Sequence, residues 1–157
     1  MEAFLGAGVD RVLDASVVRE GFAGVTSPGR LERVRSAPTV LLDAAHNPAG
    51  ARALASYLVQ THPEGVTLVF GAMKDKAVEA MLRALAPAAR AIVCTTAPTP
   101  RAMAAAELAA LARSIGLDAA AVDDPAAAVD LAVESPRPVV AAGSIFLLGA
   151  IRERVRP

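Results

Sequence analysis

The sequence predicts an α/β domain, a mostly parallel sheet of about six strands with one antiparallel edge strand and helices on both faces. Three observations predict it. A short apolar run, a polar or glycine-containing junction and an amphipathic stretch recur in that order along the chain, which is the rhythm of βα units. Most of the apolar runs are continuous, as in strands covered on both faces. One run, Leu31 to Arg35, instead mixes apolar and charged residues. Only Ser36 and Ala37 separate it from the next strand, too few for a crossover, so it pairs antiparallel at an edge.

The elements follow in order. Asp14 or Ser16 caps a short helix through Phe22, with Leu5, Leu13, Val17, Val18 and Phe22 giving this segment an apolar side, and Thr26-Ser27-Pro28-Gly29 reads as a turn. After the edge strand, Pro38 to Leu42 is a buried strand. Pro48 then suits a first helical turn, where its missing N–H costs nothing, and Ala51, Leu54, Ala55 and Leu58 form one stripe. His62 follows that helix, where the dipole favours a cation. Val66 to Phe70 leads through Gly71 to Asp75 into a helix whose core face is Val78, Met81, Leu82 and Leu85. Ala91 to Cys94 leads into a helix with Pro100 near its first turn and Ala104, Leu108, Leu111 and Ile115 inward. Ala119 to Val122 leads to Ala126 to Glu134, with Asp124 as N-cap and Asp123 in the turn. Pro138 to Ala142 leads through Gly143-Ser144 into Ile145 to Arg154, with Leu148, Ile151 and Val155 on one face. Right-handed crossovers place these helices on both sides of the sheet.

Composition narrows the class. The chain has 157 residues, 54% of them hydrophobic, enough for one good core. Sixteen basic and sixteen acidic side chains cancel to a net charge of zero, and nothing suggests the broad basic face of a nucleic-acid binder. Aromatics are only 3% and Trp is absent, so the core rests on small aliphatic side chains. The one cysteine, Cys94, lies in an apolar run and reads as a buried small hydrophobe of a reduced, cytoplasmic protein. No apolar run approaches the roughly 18 residues of a membrane span, and the first residues lack the pattern of a signal peptide.

The densest polar cluster is Asp43-Ala44-Ala45-His46-Asn47-Pro48. It joins the carboxyl end of a buried strand to a helix N-terminus. In open α/β sheets ligands bind at that end, and the helix start favours an anion. Asp43 stands five residues before Pro48, further than a cap of that helix would, so the sequence reads it as a ligand contact. His46 and Asn47 share its loop.

Four stretches then carry a family resemblance: Ser27-Pro28-Gly29-Arg30-Leu31-Glu32, Leu42-Asp43-Ala44-Ala45-His46-Asn47-Pro48, Phe70-Gly71-Ala72-Met73-Lys74-Asp75-Lys76 and Ala142-Gly143-Ser144-Ile145-Phe146. In this order they resemble the C-terminal domain of folylpolyglutamate synthase, which in bacteria often doubles as dihydrofolate synthase and is related to the Mur-type peptidoglycan ligases. The resemblance implies a Rossmann-like domain over residues 30–157, preceded at 1–29 by the tail and linker of an ATP-binding domain.

It also implies an activity. ATP phosphorylates a carboxylate of a folate or pteroate substrate, and the amine of glutamate attacks the acyl phosphate. Such chemistry needs positioning and charge stabilisation more than a protein nucleophile. By motif position, Arg30 resembles an arginine reaching the nucleotide from the interdomain linker, Asp43 an acid that binds the ATP ribose, and His46 a histidine at the reaction centre. Asn47 shares the nucleotide side. Lys74 and Lys76 resemble a basic loop near the anionic substrates, with Lys74 among the catalytic residues, and Ser144 resembles a residue lining the amino-acid site. Met73, Met81 and Met103 read as packing.

The family's phosphate loop, ending in Gly-Lys-Ser or Gly-Lys-Thr, does not occur in these 157 residues. The magnesium ligands beside that loop are expected with it, in an N-terminal ATPase domain, and this chain alone is expected to be inactive. The competing reading is a stand-alone nucleotide-binding or phosphoacceptor module with Asp43 as acceptor. It lacks an acidic pair for magnesium in the preceding strand. A dinucleotide oxidoreductase is weaker, because the Asp43 to Pro48 turn has no G-x-G-x-x-G.

Overall fold

A computed structural model describes residues 15–23 and 27–155 of the chain. The elements are α1 (Ala15–Ala23), β1 (Glu32–Ser36), β2 (Thr39–Leu42), α2 (Pro48–Thr61), β3 (Val66–Phe70), α3 (Val78–Leu85), β4 (Ala89–Cys94), α4 (Ala105–Ser114), β5 (Ala119–Ala121), α5 (Pro125–Val133), β6 (Val139–Ala142) and α6 (Ile145–Val155). Six strands form one sheet in the order β1-β2-β6-β3-β4-β5. The β1–β2 pair is antiparallel and every other pair is parallel, as the short Ala37-Pro38 connection requires.

Alternate residues of the central strands feed two apolar layers. Leu41, Leu68, Phe70 and Ile92 meet Leu54 and Leu58 of α2, Met81, Leu82 and Leu85 of α3, and Leu108 of α4. Val40, Leu42, Val69, Val93 and Val139 meet Val129 of α5 and Leu147, Leu148, Ile151 and Val155 of α6. The helices therefore cover both faces, which is why β3 and β6 are buried along their whole length. Thr67, a buried polar residue in that run, donates its hydroxyl to Ser135 Oγ at 2.9 Å. Cys94 is buried and free, and burial pushes its thiol up to about 12, so it stays protonated and inert.

Several boundaries differ from the expectation. Pro100 is not in a first helical turn. Lys74 N–H donates to Arg101 O and Met103 N–H to Ala72 O, each at 2.9 Å, and this bridge between Met73 and Ala102 holds the segment as a loop until Ala105. The first N–H of α4 donates instead to Thr96 Oγ1 at 2.9 Å. The inward residues of α4 are Ala105, Leu108, Ala109 and Ala112, with Leu111 and Ile115 only partly buried. β4 begins two residues earlier than expected, at Ala89, and β5 ends at Ala121. Asp124 does cap α5, accepting from Ala127 N at 2.8 Å. His62 is the C-cap of α2 and is half-buried.

The early helix is present as α1, with Val17 exposed. Leu5, Leu13, Asp14 and Thr26, and the side chains of Val18 and Phe22, lie outside the described residues. The turn closes one residue later than expected, between Ser27 O and Arg30 N at 3.0 Å. Among the described residues no helix is long and apolar enough to cross a membrane.

Candidate functional site

The carboxyl ends of the parallel strands open into a cleft of about 260 Å³. Each wall is a loop whose sequence explains its shape. Arg30 comes from the turn before β1, Ala44 and His46 from the loop after β2, Met73 and Lys76 from the loop after β3, Arg101 from the loop after β4, and Gly143, Ser144, Ile145 and Phe146 from the β6–α6 junction. The lining holds three permanent or near-permanent cations, one imidazole and no carboxylate. It is built for an anion.

The turn that carries Arg30 is bolted down. Gly29 has φ +72°, a conformation glycine adopts without cost, and its N–H donates to Glu32 Oε2 at 2.6 Å while its carbonyl accepts from Ala44 N at 2.6 Å. Leu31 also lies in the left-handed region, at φ +46°, and its N–H donates to Asp43 Oδ2 at 2.9 Å. Glu32 in turn receives both guanidinium nitrogens of Arg152 in α6, at 2.8 and 2.7 Å. That fork raises the affinity of Arg152 for its proton and ties the turn to a helix 120 residues away. Arg30 itself is exposed at the cleft.

Asp43 is 8% exposed, and both carboxylate oxygens are engaged by backbone: Oδ2 by Leu31 N and Oδ1 by Ala45 N at 2.9 Å. The residue thus fastens the linker turn to the β2 loop. Asn47 caps α2, its Oδ1 accepting from Gly50 N at 2.8 Å, a role the sequence reading passed over although Asn before Pro is a strong cap signal. Ser144 is 3% exposed, and its hydroxyl accepts from Phe146 N at 3.1 Å as the cap of α6. Gly143, at φ +105°, passes so close to Gly71 that an added Cβ would lie 2.5 Å from its carbonyl oxygen.

His46 is exposed, and its Nδ1 donates to Ala44 O at 2.8 Å, because a carbonyl can only accept. Nε2 is then the nitrogen left for a ligand. Lys76 lines the cleft and pairs with Asp75 at 3.0 Å, which, with the hydrogen bond from Lys76 as main cause, holds the Asp75 carboxyl below its usual range. Lys74 is exposed and does not belong to the lining. The structure therefore brings Arg30, His46, Lys76 and Ser144 together in the lining, while Asp43 and Asn47 lie outside it and hold the adjoining backbone.

Arg101 was missed. Its signal was Pro98-Thr99-Pro100, whose two prolines resist regular structure and present the arginine from a loop, much as Pro28-Gly29 presents Arg30. Among the described residues no group of three or more His, Cys, Asp or Glu side chains could hold a metal ion. The chain's described donors do not fit a resident magnesium.

Fold and cleft together define an α/β domain with a cation-lined cleft at the carboxyl rim of its parallel strands. The model of the Mur ligase, glutamate ligase domain, matches residues 29–149, and the chain belongs to that family. It is 44% identical over 97% of its length to a dihydrofolate synthase/folylpolyglutamate synthase of Mycobacterium tuberculosis, covering 35% of that protein. It is 32% identical over 87% of its length to a folylpolyglutamate synthase of Lacticaseibacillus casei, covering 31% of it. The chain thus spans about a third of the length of these curated relatives.

Solved structures agree. The M. tuberculosis folylpolyglutamate synthase complexed with ADP and AMPPCP superposes with a TM-score of 0.80 at 39% identity, over 91% of this chain and 35% of that one. E. coli FolC in complex with DHPP and ADP gives 0.82 at 25% identity, over 93% of this chain and 35% of that one.

Proposed function

We propose that the chain is the C-terminal domain of an ATP-dependent ligase that adds glutamate to a folate or dihydropteroate carboxylate through an acyl phosphate. The observation that carries this reading is the acid-free cleft where Arg30, His46 and Lys76 converge, in a chain of the glutamate ligase family. Phosphorylating a carboxylate and then expelling phosphate gathers negative charge in one place, and fixed cations stabilise it without moving. Arg30 offers a planar donor fork for phosphate oxygens, and its braced turn pre-orients that fork. His46 presents Nε2 to the reaction centre, and Lys76 adds a point charge. Lys74 has a weaker claim, since its side chain stands outside the lining.

Asp43 acts in this reading through what it positions, and any contact with a ribose uses the lone pairs its two backbone bonds leave. In this reading residues 1–29 are the tail and linker from a preceding ATP-binding domain and 30–157 the Mur-ligase-type C-terminal domain. The partner is an N-terminal ATPase domain that supplies the phosphate loop and the magnesium ligands, the setting is cytoplasmic, and magnesium screens the ATP phosphates there. The phosphoacceptor alternative loses its motive: an aspartate buried with both oxygens accepting N–H groups is a poor nucleophile.

Mixing tests the proposal. ATP, magnesium, a folate and glutamate are supplied first to this chain alone and then with a separately made N-terminal domain, and phosphate release is followed. Turnover only on mixing, lost in Arg30→Ala and His46→Ala, supports it. No turnover on mixing, with a second nucleotide-dependent reaction on the isolated chain, removes it.

A further inference from the structure

Arg30 faces the cleft with no ion pair among the described residues, so its direction is set by the backbone that carries it. That backbone is costly to hold, since Leu31 beside it lies at φ +46°. Two ties run from the turn to the loop after β2: Leu31 N–H donates to Asp43, and Gly29 O accepts from Ala44 N. A third starts at Gly29 N and ends on Glu32 Oε2, the oxygen that also accepts from Arg152 Nη2 at 2.7 Å. One carboxylate thus joins the turn to α6.

The helix is suited to this task, because residues four apart stack on one helical face. Ser144, the cap of α6, lines the cleft. Leu148 lies against the turn, where a Cβ on Gly29 would come within 3.2 Å of its Cδ1, and Arg152 meets Glu32. Glu32 stands opposite Leu42, the last residue of β2, and so at the cleft end of the sheet. Helical side chains lean toward the helix N-terminus, which brings the Arg152 guanidinium back to that end. A second fork on the same helix, Arg154 to Asp130 at 2.9 and 2.7 Å, joins α6 to α5 instead. Its side chains are 57% and 49% exposed, against 24% and 25% for Arg152 and Glu32, so solvent screens the Glu32 pair less.

We propose that Arg152 and Glu32 are positioning residues for the ligation: their ion pair, acting through the Gly29 N–H, seats the Arg30 turn on α6 and so sets where the Arg30 guanidinium meets the anionic substrate. This rests on the ligase reading above. Neither Arg152 nor Glu32 belongs to the lining of the cleft, so their effect passes through Arg30. The same pair fixes Arg30 relative to Ser144, Ile145 and Phe146, which the head of α6 supplies to the cleft. A planar guanidinium offers both arms to an anion only when well placed, and a misplacement of about 1 Å costs up to about a hundredfold in rate.

The test is a double-mutant cycle in the complete two-domain protein. The kcat/KM for ATP is measured for wild type, Arg152→Gln, Arg30→Ala and the double variant, with Arg154→Gln breaking the other fork of the same helix as a control. Arg152→Gln is expected to lower kcat/KM at least about tenfold in wild type and less than about twofold in Arg30→Ala, where nothing is left to position. Arg154→Gln stays within about twofold of wild type. Glu32→Gln, which keeps an oxygen for the Gly29 N–H but loses the ion pair, follows Arg152→Gln. Arg152→Lys, which keeps the charge without the fork, falls between and carries the same cycle if Arg152→Gln does not fold. An equal loss from Arg152→Gln in both backgrounds shows a merely structural role and overturns the inference, leaving the ligase reading intact. So does a loss under about twofold in wild type, or an equal loss in Arg154→Gln. Wild-type rates in Arg30→Ala, or no ligation by the wild type, remove the reading of Arg30 and this inference together.

Discussion

The floor of the cleft and its rim are made from the same strand-to-helix junctions and use their polar side chains in opposite ways. In the supporting junctions, here called the floor, Asp43, Asn47 and Ser144 accept from main-chain N–H groups of Leu31, Ala45, Gly50 and Phe146. On the rim, Arg30, Lys76 and Arg101 are held by their backbones and extend their charges toward the cleft. Short oxygen-bearing side chains accept from nearby main-chain N–H groups and fix the loops; Arg30 and Arg101 make no ion pair among the described residues, whereas Lys76 pairs with Asp75. The difference shows how a site can be rigid while its two arginines keep their charges unpaired.

Substitutions on the floor should then cost stability, and those on the rim should cost binding. Gly143→Ala has the largest expected effect, because it combines φ +105° with a Cβ 2.5 Å from Gly71 O and 2.9 Å from Phe70 Cε2, both in the body of the sheet. A loss of about 3–5 kcal/mol is expected in urea unfolding. A change under about 1 kcal/mol would show that the floor yields easily, and the contrast with the rim would fail. Asp43→Ala comes next, at about 2–4 kcal/mol, since it strands two N–H groups and releases the left-handed Leu31. Hydrogen exchange sharpens this case: the Leu31 and Ala45 amides should lose protection before those of β3 do.

Ser144→Ala removes one cap bond and should cost about 1 kcal/mol, seen as a lower urea midpoint with an unchanged slope. Arg30→Ala has the smallest effect on stability, within about 0.5 kcal/mol, because its guanidinium makes no ion pair among the described residues. Binding of inorganic phosphate, followed through the amide signals of Ala44 and His46, should nevertheless weaken clearly in that variant. Equal phosphate binding by wild type and Arg30→Ala would place the anion elsewhere.

Much of this was legible in the chain. Periodicity located the strands and most helices, and the two-residue link at Ser36-Ala37 marked the antiparallel edge, because so short a connection cannot make a crossover. The Asp43 to Pro48 cluster and the Gly143-Ser144 junction both fall at the end of the sheet where the cleft opens. The reading went astray where a residue's partner was distant in sequence. Pro100 looked like a helix start because the Met73–Ala102 bridge, which keeps that segment out of the helix, joins loops after two different strands. Arg101 went unnoticed for the same reason.

The sequence by itself determined the layered α/β architecture, since strand and helix periods and turn residues are local properties of neighbouring side chains. It determined, through four short motifs in order, the family to which the chain belongs. Only the tertiary structure decided which polar residues hold the loops and which line the cleft. Asp43 became a fastener when the fold brought Leu31 against it, Glu32 met Arg152 across 120 residues, and Arg101 reached the cleft because β4 lies beside β3. Hydrogen bonds and charge pairs depend on distances of a few ångströms, and those distances are set when strands from remote parts of the chain take their order in the sheet.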